Sequence, residues 1–261
     1  MKDWNLRSKR VLLRVDFNVP IDATGKITDD TRIEKALPTV QALIDQGARV
    51  ILMSHLGRPL KSLLPDGSID RTRFSLAPVA VRLAELTGRE VLFAGDCGGE
   101  DSLARIGQLA DGQLLLLENT RFYKQEEKGD PEWAASLAKM GDYYVNDAFG
   151  AAHREHATTA TIARFFDKDH KGFGHLMQAE LESAARVMDH PERPLTAILG
   201  GAKVSDKIEL ISNLLDKCDQ ILIGGGMAYT FFAAQGYAIG NSLCEHYKLA
   251  LALELMQKAN E

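Results

Sequence analysis

Short, continuously apolar runs alternate with longer helical patterns along nearly the whole chain, and this alternation is the tightest constraint on its fold. The strand candidates are Val11 to Val15, Arg49 to Met53, Glu90 to Phe93, Gln113 to Leu117, Asp142 to Val145, Leu195 to Leu199 and Gln220 to Ile223. They lack the in–out alternation of a half-exposed strand, as expected where helices cover both faces of a parallel sheet. Helical patterns fill the intervals at Thr31 to Gln46, Ser75 to Thr87, Pro131 to Lys139 and Ser205 to Cys218. Ser75 suits an N-cap, and Gly47 and Gly88 suit the left-handed residue that ends a helix. This order predicts an α/β fold of doubly wound, Rossmann-like parallel sheets.

The first series breaks after Phe166, where Asp167 to Gly172 form a polar, charged link. An amphipathic helix over Leu176 to Met188 follows, and Pro191 and Pro194 open a second strand–helix series. The expected organisation is an α/β domain over 1–173, a linker helix over 174–190 and a second α/β domain over 191–261. That second domain is expected to be incomplete. Only two strand runs precede the helical stretch Glu245 to Lys258, and an open sheet ordinarily holds more.

Composition narrows the class. With 45% hydrophobic and 26% charged residues in 261, the chain reads as an ordinary soluble protein. No run approaches the roughly 18 apolar residues of a membrane span, and the start Met1-Lys2-Asp3-Trp4 has no secretory core. The three cysteines, Cys97, Cys218 and Cys244, show no CxxC spacing, which argues against a disulfide framework or a zinc knuckle and for a cytoplasmic location. A net charge of −5 speaks against nucleic acid, and no membrane partner is expected.

Against that acidic background, cations gather just beyond the strands. Asp16, Asn18 and Pro20 follow the first run; Ser54-His55-Leu56-Gly57-Arg58-Pro59 follow the second; Glu118-Asn119-Thr120-Arg121 follow the fourth. Asn146-Asp147 follow the fifth and lead to His153-Arg154-Glu155-His156. Ligands of open parallel sheets bind beyond the carboxyl ends of the strands, and arginine forks suit phosphate or carboxylate. Arg32, Arg58, Arg121 and Arg154 with His55 therefore predict a pocket for a small, densely negative metabolite. In the second region, glycines after each strand (Gly200, Gly201 and Gly224 to Gly226) let amides approach a phosphate, with Lys203 and Lys207 supplying charge. These two lysines share a face only if the helix starts early. No P-loop, GxGxxG or Gly-x-Ser-x-Gly motif is present. The spacing of His153 and His156 fits no common zinc pattern.

Together these segments resemble the phosphoglycerate kinase family: RVLLRVDFNVP (Arg10 to Pro20), DDTRI, SHLGRP, LLENTRF, NDAFGAAHREHAT, GGAKVSDKI and GGGMAYTF, in order along the chain. The resemblance implies reversible phosphoryl transfer between 1,3-bisphosphoglycerate and ADP, giving 3-phosphoglycerate and ATP with Mg2+, by a monomer. It implies that Asp16, Phe17, Asn18, Arg32, His55, Leu56, Gly57, Arg58, Arg121 and Arg154 hold the phosphoglycerate. Gly201, Lys203, Lys207, Gly225 and Gly226 would serve the nucleotide. Arg32 and Lys207 would act on the transferring group. The segment that in the family completes the second sheet is not found, so poor turnover is expected. The alternative is a non-catalytic fragment or paralogue that binds an anionic metabolite.

Overall fold

A computed structural model describes residues 4–189 and 191–260; the expected domain limits at residues 1, 190 and 261 lie outside the described residues. The chain divides into two compact units on either side of the Leu181–Glu182 bond.

The first unit is built on one six-stranded sheet: β1 (Arg10–Arg14), β2 (Arg49–Met53), β3 (Val91–Phe93), β4 (Leu114–Leu116), β5 (Tyr143–Asn146) and β6 (Lys171–Phe173). The order is β3-β4-β2-β1-β5-β6, and every neighbouring pair is parallel. Its helices are α1 (Thr31–Asp45), α2 (Arg71–Phe74), α3 (Ala77–Thr87), α4 (Glu100–Gln108), α5 (Lys124–Glu127) and α6 (Pro131–Ala138). The apolar runs form strands buried on both faces. Val11, Leu13, Val50, Leu52, Leu114 and Leu116 enter one core layer, while Leu12, Ile51, Met53 and Leu115 enter the other. Two-sided burial accounts for the missing polar alternation.

α1 buries Ile33, Ala36, Val40, Leu43 and Ile44, the three-and-four spacing of an amphipathic helix, and leaves Arg32 outward on its first turn. α3 starts at Ala77 with Leu76 in the cap position, two residues beyond the expected Ser75. Ser75 still helps: its hydroxyl accepts from Ala77 N at 3.1 Å, while Glu118 accepts from Leu76 N and the Ser75 hydroxyl. Asp167 to His170 form the expected polar link, but its last two residues open a sixth strand. Lys171–Phe173 pairs with Tyr144–Asn146 at the sheet edge, where a short strand tolerates lysine and glycine. α4 was also absent from the sequence pattern.

The chain runs from β1 to β2, out to the edge strand β3 and back in to β4 between them, then crosses to β5 and β6 on the other side of β1. The strand order therefore reverses between β1 and β5. In open sheets this is where a crevice forms at the carboxyl ends.

α7 (His175–Met188) contains the division between the units, so the expected linker helix over 174–190 is shared by them. In the second unit β7 (Thr196–Gly200) and β8 (Gln220–Gly224) pair in parallel from Thr196 opposite Gln220 to Gly200 opposite Gly224. α8 (Ile208–Leu215), α9 (Met227–Ala234) and α10 (Leu249–Asn260) pack on one face. Val204, Ile211, Met227, Phe231, Ala252 and Leu255 form its core, with Leu199 and Ile223 against it. The other face exposes Ile198 at 78% and Leu222 at 53%. Two-sided coverage, expected for these strands, thus fails here: a run apolar at every position does not say which of its faces will be covered. Among the described residues no helix is long and apolar enough to cross a membrane.

Candidate functional site

The expected phosphoglycerate residues emerge at the carboxyl edge of the first sheet, and hydrogen bonds tie Asp16, Asn18, Arg32, Gly57 and Arg121 to one another. Beyond β1, Asp16 Oδ2 accepts from Arg32 Nη1 at 2.7 Å. A β-carbon on Gly150 would fall 2.7 Å from that same carboxylate oxygen, so the segments after β1 and β5 meet at the reversal point. Asn18 Oδ1 accepts from Gly57 N at 2.8 Å, and Phe17 N donates to Ser54 Oγ at 2.8 Å. Arg121 Nη1 donates to the Gly57 carbonyl at 2.6 Å. Gly57 has φ +60°, and a β-carbon there would stand 2.6 Å from the Phe74 ring. Only glycine fits this turn.

Asn119 is fully buried and was read from the sequence only as part of a motif. Its Oδ1 accepts from Leu56 N and Arg121 N, and its Nδ2 donates to the carbonyls of Leu56 and Phe74. One side chain thereby fixes the loops after β2 and β4.

Arg32 and Arg58 are exposed, Arg154 is half-buried, and Arg121 is buried at 4% exposure. Arg58 and Arg121 line a common small hollow with Glu127. Burial presses the Arg121 guanidinium below its ordinary value, Glu127 draws it back, and Arg154 and Arg14 press it down again; it stays a cation. Its Nε is buried without a hydrogen-bond acceptor, the nearest carboxylate being Glu127 at 3.5 Å. His55 lies among these cations at 3% exposure. Burial, then Arg14, Arg121, Arg154 and His156, push it well below the ordinary imidazole range.

Arg14, which the sequence did not single out, joins the site beside His55. It is fully buried, and its Nη2 sits 3.1 Å from His55 Nδ1. The available signal was a lone charge within the apolar run Val11 to Val15.

In the second unit the turns after β7 and β8 pack backbone to backbone. Met227 N donates to the Gly201 carbonyl at 2.8 Å. A β-carbon on Gly225, at φ +68°, would stand 3.0 Å from Gly201 N and O; one on Gly226 would stand 3.3 Å from the Ala202 carbonyl. Lys207 runs past Gly201, with its Cε 3.9 Å from where a β-carbon would be. The shared helical face for Lys203 and Lys207 corrects. Ser205–Lys207 is a single 3-10 turn and α8 begins at Ile208, so exposed Lys203 precedes any helix.

Glu245 holds this loop from below. Its Oε2 accepts from Val204 N at 2.6 Å and Ser205 N at 3.1 Å, and its Oε1 from the hydroxyls of Ser205 and Tyr247. Desolvation pushes its carboxyl up, but these hydrogen bonds outweigh it and hold the pKa down to about 2. From sequence it marked only the start of a helical run. Among the described residues, no three His, Cys, Asp or Glu side chains are grouped to hold a metal ion.

An open parallel sheet with arginines at the point where its strand order reverses, followed by a smaller unit with facing glycine turns, defines a two-unit α/β protein of the open-sheet class. A family model described as phosphoglycerate kinase matches residues 1–261, and the chain belongs to the phosphoglycerate kinase family. It is 53% identical over 260 residues to phosphoglycerate kinase of Synechococcus sp. (strain JA-2-3B'a(2-13)), covering 99% of this chain and 63% of that one. It is 50% identical over 259 residues to that of Chlorobium luteolum, again covering 99% and 63%. The solved phosphoglycerate kinase structure from Coxiella burnetii superposes with a TM-score of 0.86 at 43% identity, covering 100% of this chain and 63% of that chain. The chain thus spans somewhat under two thirds of the length of these relatives.

Proposed function

We propose that this chain carries the phosphoglycerate site, and part of the nucleotide site, of a reversible kinase that transfers a phosphoryl group between 1,3-bisphosphoglycerate and ADP, giving 3-phosphoglycerate and ATP. The observation that carries the reading is the linked set Arg32–Asp16–Asn18–Gly57–Arg121 beside His55 and Arg154, drawn from the first turn of α1 and the loops after β1, β2, β4 and β5. The family membership supports it.

The residue types fit the chemistry. In the ATP-consuming direction a carboxylate oxygen of 3-phosphoglycerate attacks the terminal phosphorus of ATP. The bond from that phosphorus to the bridging oxygen breaks, and ADP leaves with the electron pair. The attacking carboxylate is already ionised near neutral pH, so no general base is needed. What the protein supplies is position and positive charge. In this reading Arg58, Arg121, Arg154 and His55 hold the acid and its phosphate, with Phe17, Asn18, Leu56 and Gly57 shaping the floor and Asp16 orienting Arg32. Arg32 meets the group in transfer. Gly201, Gly225 and Gly226 present backbone to the nucleotide, Lys203 and Lys207 compensate its phosphates, and Lys207 acts with the group in transfer. Mg2+ would enter with the nucleotide. We read the first unit as the phosphoglycerate domain and the second as the nucleotide domain of a cytoplasmic monomer, in keeping with its free thiols and acidic balance.

Separate calorimetric titrations with 3-phosphoglycerate and ADP test the assignment. Binding of the first, lost when Arg121 is replaced, is expected. No heat from 3-phosphoglycerate with the wild-type chain would defeat it, and binding of the acid without ADP would favour a metabolite-binding role alone.

A further inference from the structure

We propose that Arg14 is a positioning residue that holds the His55 ring neutral with its proton on Nε2, giving the anion pocket one uncharged, directional donor among its cations. The inference rests on the reading of this pocket as the phosphoglycerate site and adds a protonation state to it.

The geometry leaves one arrangement. Arg14 Nη2 lies 3.1 Å from His55 Nδ1. A guanidinium has donors only and keeps its charge, so Nδ1 must accept. Neutral imidazole accepts at one nitrogen and carries its proton on the other. The proton is therefore on Nε2. An imidazolium would set two donors against each other inside the protein.

Arg14 has no freedom to turn away. Its Nε donates to Thr158 Oγ1 at 2.8 Å and its Nη1 to the Val15 carbonyl. The Thr158 hydroxyl donates to Glu126 Oε1 at 2.6 Å, and Thr158 N donates to Glu126 Oε2 at 2.9 Å. Glu126 lies 3.8 Å from Arg14, both side chains fully buried, and supplies the counter-charge. Buried networks whose members are all satisfied are rigid. The chain Glu126–Thr158–Arg14–His55 thus draws on α5, the loop after β5, β1 and the loop after β2.

The surroundings of the ring agree. Arg14 faces it from β1, Arg121 from the turn after β4, and Arg154 and His156 from the loop after β5, while Glu126 stands behind Arg14. His156 is itself shifted down, by burial first. Four of these five groups disfavour a charged ring, the Arg14 contact alone selects the tautomer, and the one acid is engaged by Thr158 and Arg14. Among the described residues His55 Nε2 has no hydrogen-bond partner, and it is not sealed away from solvent. It is the free donor of the ring. A neutral donor suits a pocket that must recognise the shape of a small acid over a range of pH, since its hydrogen bond does not switch off as histidine titrates.

The test is long-range proton–nitrogen NMR of the whole chain labelled with 15N-histidine, using His55→Asn only to assign the ring. The expected spectrum is a single Nε2–H ring that keeps its shifts from pH 5 to 8. A proton on Nδ1, or an imidazolium anywhere in that range, overturns the proposal. Arg14→Met should convert the ring to a titrating or mixed-tautomer histidine. Should that variant not fold, Thr158→Val, which removes the acceptor of Arg14 Nε, should show the same change in part. An unchanged ring in the folded variant would assign the tautomer to burial and remove Arg14 from the role. Adding 3-phosphoglycerate to the same wild-type sample separates the two readings. A fixed Nε2–H ring that ignores the acid defeats the phosphoglycerate site but not the tautomer. A ring that responds to the acid yet titrates defeats the tautomer alone.

Discussion

The Arg121 guanidinium donates to the carbonyl of Gly57 at 2.6 Å, joining the loops after β4 and β2 through one buried charge. The contact uses one nitrogen and leaves Nε without an acceptor. Arg121→Lys keeps the charge but cannot span both directions. It is expected to weaken 3-phosphoglycerate binding by about 10- to 100-fold, in line with a charged hydrogen bond of roughly 1.5–3 kcal/mol. Calorimetry checks this, and a change of less than about threefold would contradict the placement.

His55 makes the stability of the first unit depend on pH. Its folded pKa is depressed, by burial first and then by the surrounding cations, below an unfolded value near 6.5. Below that value the unfolded chain takes up a proton that the folded chain refuses, so stability is full above it and falls with falling pH. One such group contributes a slope of about 1.4 kcal/mol per pH unit. His156 adds in the same direction but is more exposed. The two tryptophans, Trp4 and Trp133, both lie in the first unit, so their fluorescence in urea reports it. Between pH 6.5 and 5 the slope should shrink by close to one proton in His55→Asn; equal slopes in both proteins would count against a buried neutral ring.

Gly225 combines φ +68° with a 3.0 Å approach to the Gly201 backbone. Gly225→Ala must accept a left-handed alanine, at about 1–2 kcal/mol, and push apart two turns that have no flexible side chain to yield. Loss of at least that much from the second unit is expected, together with weaker ADP binding. Hydrogen exchange of the β7 and β8 amides measures the first effect, and unaltered protection would show that the turns separate freely.

Glu245→Ala leaves the buried amide of Val204 without its acceptor, a loss of roughly 1–3 kcal/mol. Exchange of the Val204 and Ser205 amides should rise, and the Lys203–Lys207 segment should loosen. In the wild-type chain Glu245, held at about 2, stabilises the loop above its unfolded value near 4.3 and ceases to do so as pH falls toward 2. Protection of these two amides that is flat across that window would contradict the clasp.

The strand runs were legible because helices cover both faces of the first sheet, which leaves Val11 to Val15 and Gln113 to Leu117 apolar on both sides apart from Arg14 and the leading Gln113. Glycines at Gly57 and Gly225 were legible as turns for a related reason: no other residue accepts both the backbone angle and the contact. β6 was hidden because an edge strand of three residues with a lysine and a glycine looks like a loop. The single covered face of β7 and β8 was hidden because apolar residues stand on both sides of each strand.

The order of strands and helices, and the cations just beyond them, follow from the chain itself, since burial on two faces and the chemistry of arginine both act locally. Which of those residues touch was decided by the fold. Asp16 meets Arg32, and Arg14 meets His55 across 41 positions, because the chain returns from β1 through α1 to β2, which lies beside β1 with Met53 opposite Arg14. The same is true of Glu126 and Glu245, whose partners lie 32 and 41 residues away. A hydrogen bond depends on distance in space, which a linear pattern does not record.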